Sequence, residues 1–161
     1  MLTRRMALNA GVVSFAAFVA GVVIGRGKAF AAGFTRTDEE WRKTLTADQY
    51  AVLRQDGTER PFTSPLLHEE RRGVFTCAGC DLALFSSTTK FDSGTGWPSF
   101  WAPLDNAVVT KEDHSFGMVR DAVMCQRCEG HLGHVFNDGP KPTGLRYCMN
   151  GLALAFKPAI A

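Results

Sequence analysis

The chain has 161 residues, of which 45% are hydrophobic and 21% charged, and its formal net charge is +2 at pH 7. That length carries one ordinary domain with a core of its own. So small a positive excess, with no long basic stripe, excludes a binder that holds nucleic acid by its phosphates.

Residues 1–31 have the three-part layout of an export signal. Arg4 and Arg5 open it, an apolar run follows from Ala10 to Ile24, and Ala29-Phe30-Ala31 places small residues where a signal peptidase cuts. Paired arginines before a Gly- and Ala-rich core, with Lys28 just before the cut, point to the twin-arginine route and the periplasm. The match is partial, because Ala7 stands where that signal usually has Phe. The competing reading is an uncleaved membrane anchor, for which an apolar run of about fifteen residues is short against the roughly twenty of a span. Cleavage removes Arg4, Arg5, Arg26 and Lys28, so the mature domain, residues 32–161, carries a net charge of −2.

Two short helices open that domain. Thr37-Asp38-Glu39-Glu40 is a capping box, with Trp41 and Leu45 as an apolar pair one turn apart. Thr46-Ala47-Asp48-Gln49 repeats the signal, Tyr50 and Leu53 share a face, and Asp56-Gly57 ends the helix. Pro61 and Pro65 carry an extended arm. From Gly73 the texture changes to short β-like runs broken by Gly, Pro, Asp and Asn. The runs are 73–77, 107–111, 115–120, 122–125, 134–136, 145–149 and 152–157, which predicts a mainly antiparallel β domain with a small helical start.

Five cysteines cannot all pair, even in an oxidising compartment. Cys77-x2-Cys80 and Cys125-x2-Cys128 are two knuckles, which together offer four sulfurs at tetrahedral angles, the donor set of a closed structural Zn2+ site. Iron suits four thiolates as well. Another possible set is Cys125, Cys128, His131 and His134, which leaves Cys77 and Cys80 as a separate pair.

Cys148 stands apart. On a strand, Arg146, Cys148 and Asn150 share one face while Leu145, Tyr147 and Met149 take the other. A guanidinium two residues away favours the thiolate, which makes Cys148 the candidate nucleophile. His131, His134 and Asp138 lie shortly before it and could supply a general acid with an orienting partner. Trp97, in Thr95-Gly96-Trp97-Pro98-Ser99-Phe100-Trp101, could form an apolar wall for a small ligand group.

Taken together, Gly96-Trp97-Pro98-Ser99-Phe100, His131-Leu132-Gly133-His134-Val135-Phe136, Asp138-Gly139-Pro140, Gly144-Leu145-Arg146-Tyr147-Cys148-Met149-Asn150 and both knuckles resemble the methionine-R-sulfoxide reductases of the MsrB type. The resemblance runs from about Asp38 to Phe156. It implies two small antiparallel sheets with a zinc ion tying loops away from the active site. It also implies that Cys148 attacks a methionine-R-sulfoxide in an oxidised protein or peptide. Arg146, His131, His134, Asp138 and Asn150 then shape the polar end, and Trp97 packs on the substrate's S-methyl. Where many members carry a second, resolving cysteine, this chain has Thr95. With four cysteines on zinc, the sulfenic acid left on Cys148 is expected to be reduced by an external thiol, such as a thioredoxin-like donor. The domain is expected to act as a monomer.

A four-thiolate site exported unfolded would oxidise before it met its metal, whereas the twin-arginine route carries folded chains. Arg4→Lys with Arg5→Lys is therefore expected to trap the protein inside the cell, as read by fractionation. Unchanged periplasmic recovery would mean the general secretory route.

Overall fold

The computed structural model describes residues 34–160, so the expected export signal lies outside the described residues. Among them, no helix is long and apolar enough to cross a membrane. Helix α1 spans Asp38–Thr44. At its start Glu40 N donates to the Thr37 hydroxyl at 3.3 Å, and Thr37 N donates back to the Glu40 carboxylate at 2.7 Å. Helix α2, Ala47–Gln55, begins with the same reciprocal pair from Thr46 and Gln49 and stops at Asp56, whose φ of 55° turns the chain left-handed. These caps satisfy donors that helices so short cannot satisfy internally. Both helices hold to the domain through buried Trp41, Leu45, Tyr50, Val52 and Leu53. The arm that follows is not wholly extended, because Pro65–His68 forms a 3-10 turn capped by the Ser64 hydroxyl.

Among the described residues, nine strands form two antiparallel sheets. The first has three strands in the order β2-β1-β9, with β1 Gly73–Cys77, β2 Ala83–Ser86 and β9 Leu154–Pro158. The second contains β3 Lys90–Phe91, β4 Ser99–Phe100, β5 Val108–Asp113, β6 Arg120–Cys125, β7 His131–Phe136 and β8 Arg146–Met149. Its order is β3-β4-β8-β7-β6-β5. The mainly β expectation holds, with two corrections: residues 115–119 are not strand, and Leu152 and Ala153 belong to a 3-10 turn that precedes β9. Ser115–Gly117 is a 3-10 turn, and Ser115 N donates to Asp113 Oδ1 at 2.8 Å, so a side chain replaces the ladder there.

The two sheets share one core. Phe75 of β1 and Phe85 of β2 meet Phe100 of β4, with ring centroids 4.9 and 4.4 Å away respectively, and all three are fully buried. Burying each such ring contributes about 1.5–3 kcal/mol. Within the second sheet, β8 presses close against β7. A Cβ on Gly133 would lie 2.1 Å from the carbonyl oxygen of Cys148 and 2.9 Å from Cα of Met149. Backbone cannot yield there without parting the strands. Gly133→Ala is expected to cost more than about 2 kcal/mol in denaturant unfolding; unchanged stability would show that β8 does not need this approach.

Candidate active site

Five neighbouring strands set the row in which the polar groups lie. In the second sheet Ser99 of β4 pairs with Cys148 of β8, Cys148 with His134 of β7, His134 with Ala122 of β6, and Ala122 with Lys111 of β5. Directly opposed residues share a face. Arg146 sits two residues from Cys148 on that face, opposite Phe136. The alternation read from the sequence is present as far as Met149, which is fully buried on the core side while Cys148 is half-buried; Asn150, expected on the face of Cys148, lies past the end of β8 and is buried.

The structure distributes the predicted site residues into distinct pairs. Arg146 makes a two-pronged bond to Asp138, Nε to Oδ1 and Nη2 to Oδ2, both at 2.8 Å, and its guanidinium lies 4.3 Å from the Phe136 ring centre. The Arg146 hydrogen bonds hold the Asp138 carboxyl below its ordinary range. Asp138 thus orients the arginine, and the expected histidine–Asp138 partnership is replaced by another. His134 Nε2 lies 2.9 Å from Asp113 Oδ2, which also takes Arg120 Nη2 at 2.7 Å. Because a carboxylate only accepts, the bond places the His134 proton on Nε2. The Asp113 carboxyl is held well below its ordinary range by the backbone N–H and hydroxyl of Ser115, then by His134 and Arg120.

His131 stands edge-on to His134, ring centroids 5.3 Å apart, and is only 2% exposed. Neither of its ring nitrogens has a partner among the described residues. Burial, and then the neighbouring His134, push it down to about 4, so the ring is neutral near pH 7. Asn150 is buried and faces inward. Its Oδ1 accepts from Glu59 N at 3.0 Å and its Nδ2 donates to Leu132 O at 3.2 Å. Trp97 is half-buried and held by Nε1 donating to Glu59 O at 3.2 Å. Phe100 of the same motif is wholly core.

Two of these partners were not picked out from the sequence. Asp113 carries a faint signal, since Asp-x-Ser after a strand reads as a side-chain turn. Glu59 carries none. It is an acid in a polar stretch, yet it is buried and accepts from Gly151 N and Leu152 N, which joins the arm to Trp97 on one side and Asn150 on the other.

The four knuckle cysteines meet. Their sulfurs all lie within 4.8 Å of one another and all four residues are buried. Cys77 Sγ is 3.6 Å from Cys128 Sγ, and Cys80 Sγ is 3.5 Å from Cys125 Sγ. Sulfurs at about 2.3 Å from a tetrahedral zinc stand about 3.8 Å apart, so the donor set fits. His131 is not in the cluster, which sets aside the two-cysteine, two-histidine set. The knuckles match in backbone as well as spacing. In each, the first cysteine's N–H donates to the carbonyl five residues on, Leu82 at 2.8 Å and Gly130 at 2.9 Å. Its carbonyl receives the N–H of a left-handed residue four on, Asp81 at φ 63° and Glu129 at φ 58°. Arg54 from α2 and Arg127 donate to the carbonyls of Cys128 and Cys80, at 2.9 and 3.0 Å.

Residues 45–158 match the SelR domain. The peptide methionine sulfoxide reductase MsrB of Leptospira interrogans is 54% identical over 123 residues, covering 76% of this chain and 94% of that one. The enzyme of the same name from Pseudomonas putida is 57% identical, covering 76% of this chain and 93% of that one. That of Methanosarcina barkeri is also 57% identical, over 76% of this chain and 87% of that one. The chain belongs to the MsrB family. The MsrB resemblance noted from motifs thus extends over nearly all of the described domain.

The neutral His131 of this MsrB domain has a consequence for acid stability. Its folded value of about 4 lies below the ordinary 6.5, so the unfolded chain takes the proton first as pH falls. Stability is therefore whole above about pH 6.5 and declines toward pH 4, by about 3 kcal/mol for this residue. Urea unfolding of metal-loaded wild type should show that decline in excess of His131→Gln, and equal declines in the two proteins would contradict it.

Proposed function

We propose that this MsrB-family domain reduces methionine-R-sulfoxide in oxidised proteins or peptides, with Cys148 as nucleophile. The observation that carries the reading is the division of the five cysteines: four converge in one buried cluster, and Cys148 alone sits half-buried in a row of polar side chains. Thr95, which the family resemblance sets where many members carry a resolving cysteine, has its Oγ1 3.7 Å from the Cys148 sulfur.

The chemistry assigns a task to each group. The sulfoxide sulfur is a poor electrophile until its oxygen is protonated or hydrogen-bonded. Arg146, held flat by Asp138 and Phe136, presents its remaining donors to the oxygen. His134, held at Nε2 by Asp113, directly opposes Cys148 across β7 and β8, and the proton for the sulfoxide oxygen would be one carried on its other ring nitrogen, Nδ1. Trp97 forms the apolar wall for the S-methyl. His131 and Asn150 fix the β7 backbone and the ring beside it. In the net step the sulfoxide oxygen passes to Cys148, leaving methionine and a sulfenic acid. One external thiol then condenses with that acid, releasing water and forming a mixed disulfide, and a second thiol frees Cys148. A thioredoxin-like protein supplies both.

Cys77, Cys80, Cys125 and Cys128 would hold a structural zinc ion, which supplies folding energy and leaves no open coordination position. The domain acts as a monomer in the periplasm, reached through the signal in residues 1–31.

Cys148→Ser is expected to lower turnover of a methionine sulfoxide peptide more than about a thousandfold while one zinc per chain remains. An active variant would remove the nucleophile assignment, and iron in place of zinc by metal analysis would overturn the choice of ion. Thr95→Cys is expected to form a disulfide with Cys148 after one turnover, because the two positions already face each other at 3.7 Å between side-chain tips. A turned-over variant with both thiols still free would contradict that placement.

A further inference from the structure

Three hydroxyls connect the nucleophile to a backbone carbonyl. Thr95 Oγ1 is 3.7 Å from Cys148 Sγ, Ser93 Oγ is 2.8 Å from Thr95 Oγ1 and 2.7 Å from Ser99 Oγ, and Ser99 Oγ donates to Trp97 O at 3.1 Å. The far end is rigid: Ser99 is fully buried on β4, and a carbonyl can only accept.

Counting protons gives the chain a direction. It has four contacts, and each hydroxyl brings one proton. If Ser99 donates to Trp97 O, then Ser93 donates to Ser99 and Thr95 to Ser93, so Thr95 turns a lone pair toward the sulfur. That polarity is complete only when a thiol S–H donates to Thr95. A thiolate, or the oxygen of a sulfenate, needs the opposite polarity at its end: Thr95 donates to Cys148. Three protons then serve four contacts, and one contact is left with oxygen facing oxygen or with the Trp97 carbonyl released.

We propose that Thr95 is a catalytic residue, a hydrogen-bond donor to the charged forms of Cys148, and that Ser93 and Ser99 are positioning residues that oppose that donation by drawing the Thr95 proton toward the Trp97 carbonyl. The chain passes no proton along itself, since the carbonyl cannot take one; the hydroxyls reorient. When Cys148 becomes charged the strained contact moves toward Ser99 and Trp97, which couples the state of the sulfur to the loop carrying the substrate wall. This rests on Cys148 as the nucleophile.

The charged and titratable groups around the sulfur lie elsewhere. Arg146 on β8 is paired with Asp138, and His134 on β7 with Asp113 beside the neutral His131. On the loop itself, Asp92 accepts from Gly94 N. None of them is in the hydroxyl chain, so its variants should change the donor set at the sulfur without removing a charge.

The test is the pH at which alkylation of Cys148 by iodoacetamide is half-maximal, followed by mass spectrometry on metal-loaded protein without substrate. Thr95→Val removes the donor and should raise that pH by about one unit, whereas Thr95→Ser should restore it. Ser93→Ala frees Thr95 to donate to the sulfur and should lower it by about half a unit. Ser99→Ala should lower it likewise, and because Ser99 is buried, half-exposed Ser93 gives the same reading if that variant folds poorly. Opposite signs for Thr95→Val and Ser93→Ala are the expected result, which loosened packing alone does not produce. Shifts of the same sign, or none, would overturn the proposal. Loss of the nucleophile assignment would show separately, as activity retained by Cys148→Ser.

Discussion

The turn between β6 and β7 is the second cysteine knuckle, and the geometry of the active face depends on it. Cys125 ends β6, Cys128 follows on the loop, and His131 begins β7. The Cys125 N–H to Gly130 O bond and the return bond from Glu129 close the loop from within, and the cluster ties it to Cys77 at the end of β1. One group of four sulfurs therefore joins the three-stranded sheet to the six-stranded one and sets where β7 starts. The strand that it fixes carries both histidines and pairs on its far side with β8, which carries Arg146 and Cys148. Structural zinc contributes on the order of 10 kcal/mol to small domains. An ion held by this cluster would help a domain of short strands and two short helices keep a precise sheet.

The same arrangement separates two uses of sulfur. The four clustered sulfurs are buried and could hold a metal ion, whereas Cys148 is half-buried among an arginine, a histidine and a hydroxyl. Each polar side chain beside it has its own partner: Asp138 for Arg146, Asp113 for His134. These pairs hold the side chains in place, and in the proposed reaction that would leave little reorganisation for the chemical step. Close approach of β8 to β7 at Gly133 sets Cys148 directly against His134.

Much of this was legible in the residues. Both capping boxes formed as read, because they depend on contacts three residues apart. The knuckles were readable from spacing, and the alternation at 145–150 placed Cys148 and Met149 on opposite faces as expected. Contacts between distant segments were not readable. Strands β3 and β4 are two residues each, too short to show alternation, and β2 lies in a run broken by a left-handed Asp81. The stretch 115–120 has strand-like composition, but the Asp113 carboxylate captures the Ser115 N–H and turns the chain. Asp138 was read as a histidine's partner because it is near in sequence. The loop through Gly139 and Gly144 instead folds it back onto Arg146, with Gly139 N donating to Gly144 O at 2.9 Å. Glu59 reaches Asn150 and Gly151 across 91 and 92 residues, a distance at which pattern carries no information.

The central claim is that four cysteines serve the fold and one serves the chemistry. A single turnover with one equivalent of methionine sulfoxide peptide, without reductant and in the presence of dimedone, tests it most directly. Intact-mass and peptide analysis should find one dimedone adduct, on Cys148, with the four knuckle thiolates unmodified and one zinc per chain retained. A disulfide from Cys148 to Cys77, Cys80, Cys125 or Cys128, with the metal released, would contradict the account.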